Sequence, residues 1–292
     1  MTIAKGWKVL GAVLSASALS GCSGLATVNA LQPRGGVTIT RDIAYAGGER
    51  GKLDIYRNAR ADRHAPVVVF FYGGGWDSGK KDDYAFAGAA LAREGFVAVV
   101  PDYRIYPEAR WPAFVQDSAA AVAWTKAHIA EYGGDAHKLF LMGHSAGAYN
   151  AVTLATDRRW LAAVGMAPER DLKGVVGLAG PYDFLPLRSD RLKIIFGPEG
   201  QRPDTQPINH VDGRSPPLLL VTDAGDKVVD PGNTTRMAQR VGAAGGIVET
   251  RTYKGLDHAL LMGAVAAPLR FLAPVLRDST DFMRARLAEA DR

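Results

Sequence analysis

The sequence predicts an α/β fold with a mostly parallel central sheet and helices on both faces. Three observations predict it. First, apolar runs too short for helices recur, such as Val67–Phe71 and Phe96–Val100. Second, those runs show no polar alternation, as strands buried on both faces require. Third, longer helical stretches separate them, and strands alternating with helices mark βαβ units.

The elements follow in order from about residue 37. Val37–Tyr45 and Lys52–Tyr56 read as an opening pair of strands. Val67–Phe71 is the first fully buried strand. Asp82 to Glu94 is helical and Gly95 stops it. Phe96–Val100 is the next strand. Pro112 to Tyr132 is a long alanine-rich helix closed by Gly133 and Gly134. Lys138–Met142 is a strand, and Ala146 to Thr156 a helix. Leu172–Leu178 and Pro217–Thr222 continue the sheet. Pro231–Ala244 and Pro268–Leu287 are helices, with the strand Ile247–Tyr253 between them. Residues 181–216 hold no clear strand, and read as a small cap segment.

The 292 residues are 47% hydrophobic and 22% charged, which is ordinary soluble globular composition. Length and the lack of an internal linker favour one domain over residues 37–292. A chain of this size buries enough surface to need no metal or disulfide staple. The single cysteine, Cys22, excludes an intrachain disulfide and a cysteine-rich metal site. The net charge of +5 is scattered, with no basic stripe interleaved with aromatics. That argues against nucleic-acid binding.

The first twenty-odd residues read as an address. Lys5 and Lys8 form a basic start with no acidic residue, and Val9 to Leu19 is apolar or small throughout. Small residues then precede Cys22. This is the layout of a secretory signal, and the run is too short for a permanent membrane span. The end Leu19-Ser20-Gly21-Cys22 resembles the lipobox of bacterial lipoproteins. That resemblance implies cleavage after residue 21 and acylation of Cys22, with several acyl chains enough for stable anchoring. Ser23 after the cysteine, in place of aspartate, points to the outer membrane, facing the periplasm. Residues 22–36, with Pro33, Gly35 and Gly36, read as a tether.

Chemistry gathers at the carboxyl ends of the predicted strands, where sites form in open parallel sheets. Gly143-His144-Ser145-Ala146-Gly147 lies directly between a strand and a helix. Such a sharp bend pushes Ser145 out above the sheet and aims the first helical N–H groups at the same point. Tyr72-Gly73-Gly74-Gly75-Trp76 follows the Val67–Phe71 strand, and its glycines let backbone N–H groups approach a ligand closely. Gly74, Gly75 and Ala146 are the expected oxyanion donors. Of the histidines, His258 follows the last strand and is the expected base. Asp226 fits the orienting carboxylate best, with Asp223 and Asp230 as alternatives. Asp257 reads as solvent-facing or structural. Asp102-Tyr103-Arg104 reads as a brace for the site. No metal-ligand spacing and no phosphate-cradling Gly-Lys motif occur, so no cofactor is expected.

Together these motifs resemble the α/β-hydrolase carboxylesterases, over residues 37–290. The nearest branches are the hormone-sensitive-lipase-like esterases and the feruloyl-esterase and kynurenine-formamidase-like group. The resemblance implies a triad of Ser145, Asp226 and His258, and an oxyanion hole of Gly74, Gly75 and Ala146. One departure is Tyr72, where the family usually carries a histidine that braces the glycine loop. The implied activity is hydrolysis of short-chain or small aromatic esters of a small-molecule substrate. Arylformamidase and polysaccharide deacetylase are alternatives on the same fold. An inactive hydrolase fold serving as an envelope binding module is the alternative of another kind.

Overall fold

Val67 to Phe71 are all fully buried, as a strand covered on both faces requires. They belong to the centre of one sheet in a computed structural model that describes residues 22–60 and 64–290. The signal segment 1–21 lies outside the described residues. The strands of that sheet are β1 (Val37–Ala44), β2 (Lys52–Asn58), β3 (Ala65–Phe71), β4 (Val97–Pro101), β5 (Gly134–His144), β6 (Gly174–Leu178), β7 (Leu218–Asp223) and β8 (Val248–Tyr253). Their order across the sheet is β1-β2-β4-β3-β5-β6-β7-β8. β1 and β2 form an antiparallel opening pair, β2 meets β4 antiparallel, and all other pairs are parallel.

The helices are α1 (Cys22–Leu31), α2 (Ala85–Arg93), α3 (Ala113–His128), α4 (Ala146–Thr156), α5 (Arg158–Ala162), α6 (Pro168–Asp171), α7 (Asp190–Ile195), α8 (Gly232–Ala243), α9 (His258–Gly263) and α10 (Val275–Ala290). Buried strand side chains from Val67, Val99, Leu141, Val176 and Leu220 meet helix residues such as Leu91, Val122, Val152 and Met237 in one core. Each such side chain contributes roughly 1.5–3 kcal/mol by leaving water. The crossing point of the strand order lies between β3 and β5, and Ser145 stands at the carboxyl end of β5, as such sheets favour.

Of the departures from the expected pattern, three bear on the site or its surroundings; α5, α6 and the start of β5 at Gly134 are others. The segment read as a tether opens with α1, which is docked. Val28 is buried, and Leu25 one turn earlier packs beside it. Asn29 fastens the helix: its side chain donates to the carbonyls of Asp82 and Asp83 and accepts from the N–H of Phe86 at 2.8 Å. Gln32 accepts from the N–H of Ala267 at 2.8 Å. Apolar spacing plus these caps makes residues 22–32 part of the fold, a pattern too short to announce itself in sequence. The helix expected from Pro268 begins at Val275 instead. Pro274 disfavours helical backbone at the residue before it, so the chain makes only a short turn at Ala267–Leu269 first. α9 was not foreseen. Asp257 caps it, accepting from the N–H of Leu260 at 2.7 Å, which is the structural role expected of that residue.

Candidate active site

The elbow at Ser145 is a forced backbone. Ser145 has φ 55° and ψ −120°, a conformation that costs a non-glycine residue about 1–3 kcal/mol. Its N–H donates to the carbonyl of Leu178 at 2.8 Å, which ties the bend to β6. The flanking glycines are packing requirements. A Cβ on Gly143 would stand 2.2 Å from the Gly147 carbonyl oxygen, and one on Gly147 would stand 2.1 Å from that of Phe71. The end of β5, the start of α4 and the end of β3 therefore touch backbone to backbone.

The glycine loop rests on that elbow. A Cβ on Gly73 would meet the His144 ring at 2.9 Å and the Ser145 Cβ at 3.0 Å. Gly74 has φ 140° and a Cβ there would lie 2.2 Å from the Ser78 carbonyl oxygen, so only glycine fits. The Gly74 carbonyl accepts from the N–H groups of Asp77 and Ser78 and from the Ser78 hydroxyl at 2.8 Å. Tyr72 takes the bracing position. It is fully buried and stacked on Tyr103 at 4.6 Å, and its hydroxyl accepts from Arg50 at 3.0 Å. The Tyr103 hydroxyl donates to the Tyr72 carbonyl at 2.7 Å, and Asp102 accepts from the N–H of Lys81 at 2.7 Å. Asp102 and Tyr103 supply the expected brace, whereas Arg104 pairs with Asp117 at 2.7 Å; Arg50 is a member that no local pattern announced.

Ser145, His258 and Asp226 come together in a line. His258 Nε2 lies 2.8 Å from Ser145 Oγ, and Nδ1 lies 2.7 Å from Asp226 Oδ2. The other oxygen of Asp226 accepts from the N–H groups of Val228 and Val229 at 2.8 and 3.0 Å. Burial alone would raise the Asp226 carboxyl, but His258 and these two N–H groups outweigh it and hold it below its ordinary value. The alternatives do other work. Asp223 accepts from the N–H groups of Gly225 and Leu256 at 2.8 and 3.1 Å, joining the Asp226 loop to the His258 loop. Asp230 binds Gly232 and Arg236. Of the other histidines, His128 faces Glu131 and His210 faces the Asp204 carbonyl, both away from Ser145 in their bonding.

His144 sits beside the nucleophile in sequence but acts on the base in space. Its Nε2 lies 3.1 Å from the His258 carbonyl oxygen, and its ring centroid lies 4.8 Å from that of His258. A carbonyl only accepts, so Nε2 carries the proton. Nδ1 is buried without a partner among the described residues. Burial and the neighbouring His258 push its pKa down to about 3, so the ring is neutral at ordinary pH. The contact spans 114 residues, so no local spacing could have revealed it.

Two cavities meet at Ser145. One of about 600 Å³ is lined by Gly75, Trp76, Ala146 and the cap residues Pro181 and Asp183 to Ser189. The other, about 250 Å³, is lined by Gly74, Gly75, His144 and His258 and by apolar side chains including Leu25 and Val28 of α1. The segment 181–216 thus walls the larger cavity, and α1 walls the smaller. Ser145 opens on both, with its hydroxyl proton within reach of an imidazole whose far nitrogen is held by a carboxylate. Gly75 lines both cavities beside Ser145, Gly74 the smaller and Ala146 the larger. That arrangement can take a proton from the serine, accept charge on backbone N–H groups, and return the proton to a leaving group.

Fold and site together define the class: an α/β-hydrolase with a serine–histidine–aspartate relay. The BD-FAE family model matches residues 53–241, well over half of the chain, and the chain belongs to that family. It is similar to esterase LipC of Mycobacterium tuberculosis, 27% identical over 85% of this chain and 67% of that protein. It is also similar to a probable isoprenylcysteine alpha-carbonyl methylesterase of Arabidopsis thaliana, 27% identical over 75% of this chain and 51% of that protein. The chain thus spans half to two thirds of the length of these relatives. Among solved structures, inhibited esterase B of Lactobacillus rhamnosis shares the fold, with a TM-score of 0.79, 18% identity, and coverage of 91% and 93% of the two chains.

Proposed function

We propose that this protein is a carboxylic ester hydrolase working through an acyl-serine intermediate on Ser145. The observation that carries the reading is the continuous relay of 2.8 and 2.7 Å contacts at a strained serine that faces two cavities. His258 takes the Ser145 proton as Oγ attacks the ester carbonyl. Gly74, Gly75 and Ala146 stabilise the oxyanion, each donor worth about a hundred- to a thousandfold in rate. His258 returns the proton to the leaving alcohol, and water repeats the sequence on the acyl-enzyme. The esterase names of the relatives support the same reading. Short-chain or small aromatic esters suit the cavities; arylformamides and acetylated polysaccharides are rival substrates for the same steps.

A fluorophosphonate probe tests the reading. Wild type becomes labelled, and Ser145→Ala takes no label and loses about 10³- to 10⁶-fold in kcat on p-nitrophenyl esters. An unlabelled wild type, or equal labelling of the variant, refutes the serine mechanism and leaves the binding-module reading. The same ester panel, run beside N-formylkynurenine, separates ester from formamide preference.

We further propose that Cys22 is acylated after signal cleavage, and that the protein is held on the outer membrane, facing the periplasm. The Leu19-Ser20-Gly21-Cys22 run supports this.

A further inference from the structure

The two cavities at Ser145 differ in which catalytic groups they contain. His258 lines only the smaller one, and Ala146 only the larger one. Resting on the acyl-serine reading, this difference orients the substrate. In acylation the Ser145 Oγ–carbon bond forms, and the carbon–oxygen bond to the alcohol breaks. The departing oxygen then takes from His258 the proton that His258 took from Ser145, and the alcohol leaves neutral. That oxygen must therefore lie on the side His258 faces, within hydrogen-bond reach of Nε2.

We infer that the small cavity walled by α1 holds the alcohol part of the ester, and that the larger cavity beneath the cap holds the acyl part. The walls define the substrate class. Around the small cavity, of about 250 Å³, stand Leu25, Val28, Tyr84, Phe86 and Met262. Val28, Phe86 and Met262 are 4%, 0% and 2% exposed, so this wall is packed against the core. It suits a short apolar alcohol, from methanol to butanol. The larger cavity, about 600 Å³, presents Trp76, Phe184, Leu185 and Leu187, with Asp183 and Arg188 among its polar lining. It suits a bulkier acyl group, including an aromatic one carrying polar substituents. The substrate class is thus an aromatic or otherwise bulky acid esterified with a small apolar alcohol. Leu25 and Val28 are its specificity-determining residues on the alcohol side. The segment read from sequence as a tether is a wall of the substrate site.

The test is a two-way matrix of esters on the full chain. One arm holds benzoate constant and varies the alcohol from methyl to hexyl. The other holds methanol constant and varies the acid from acetate to cinnamate. Val28→Phe, Val28→Ala and Leu25→Ala are compared with wild type by kcat/KM. Val28→Phe should lower butyl relative to methyl esters by at least tenfold. Val28→Ala and Leu25→Ala should raise the longer alcohols by about fourfold per methylene accommodated. The ranking of acids should stay as in wild type for all three. For any one variant, breakdown of the acyl-enzyme should be equal across alcohols, because the alcohol has already left. A shift in acid ranking instead, or no shift in alcohol ranking, overturns the assignment. A variant that is only destabilised lowers every ester together and shows a lower melting temperature, and the opposed Phe and Ala changes separate that case. A wild type that hydrolyses nothing in the matrix and takes no fluorophosphonate overturns the esterase reading itself, and this assignment with it.

Discussion

Asp226 spends both oxygens, one on the His258 ring and one on the N–H groups of Val228 and Val229. Asparagine in its place can still accept from those two N–H groups. It then turns an amide N–H toward Nδ1, which forces the imidazole proton onto Nε2, the wrong nitrogen for receiving the Ser145 proton. Asp226→Asn should therefore keep its fold and lose about 10⁴-fold in kcat. Steady-state kinetics check this, and a loss under tenfold would show that another carboxylate orients the base. His144 predicts a pH effect. Its folded pKa is lowered to about 3 from an ordinary 6.5, so between those values the unfolded chain binds the extra proton. Stability then falls as pH drops through that window, by about 1.4 kcal/mol per unit from this group alone. Urea midpoints at pH 7, 6, 5 and 4 should show a shallower slope in His144→Asn than in wild type. Ser145, Asp226 and His258 were each legible from position: a serine between strand and helix, a loop after a strand, and the last histidine after the last strand. His144 and Arg50 were not, because their partners lie far along the chain, and only folding brings them within a hydrogen bond.

At the scale of elements, the catalytic geometry depends on three backbones in contact: the end of β3, the end of β5 and the first turn of α4. Gly147→Ala sets a Cβ 2.1 Å from the Phe71 carbonyl oxygen, where backbone cannot yield cheaply. We expect a loss of about 1–3 kcal/mol in denaturant unfolding together with loss of esterase activity. Gly200→Ala, with nothing within 4 Å of its Cβ, is the control and should stay within about 0.5 kcal/mol. An unchanged Gly147→Ala would mean that the elbow is looser than this packing. The buried strands were readable because burial on both faces leaves an unbroken apolar run. Helix ends were less readable. Pro274 cut α10 short at its start, and α9 depends on the Asp257 cap rather than on an apolar stripe. α1 is not legible in the sequence because ten residues whose apolar contacts are a buried Val28 and a half-buried Leu25 carry no strong period of their own.

For the whole molecule, a docked α1 changes what an anchor at Cys22 means. From Cys22 to Val28 the helix rises only about 9 Å, so little slack separates the attachment point from the substrate cavity. An acylated Cys22 would hold the catalytic face close to the bilayer, in place of a molecule swinging on a free leash. Cys22→Ala should move the protein from the membrane pellet to the soluble fraction of lysed cells, with ester hydrolysis retained. A variant that stays in the pellet would sink the lipoprotein reading.

Local patterns settle what local physics controls in this chain. Unbroken apolar runs dictate buried strands, glycines at Gly143 and Gly147 permit the elbow, and the order Ser145, Asp226, His258 follows strand ends. Contacts across the sequence settle the rest. Whether residues 22–31 dangle or dock depends on surfaces offered by the turn at Lys81–Tyr84, by α2 and by the turn at Ala267–Leu269. Which side of Ser145 faces His258 depends on how β7, β8 and α9 stack at the sheet edge. Those are sums over distant residues, and a sequence read along its length does not perform them. Tyr72 shows both levels at once: its position after β3 is local, while its bond to Arg50 and its stack on Tyr103 exist only in the folded chain.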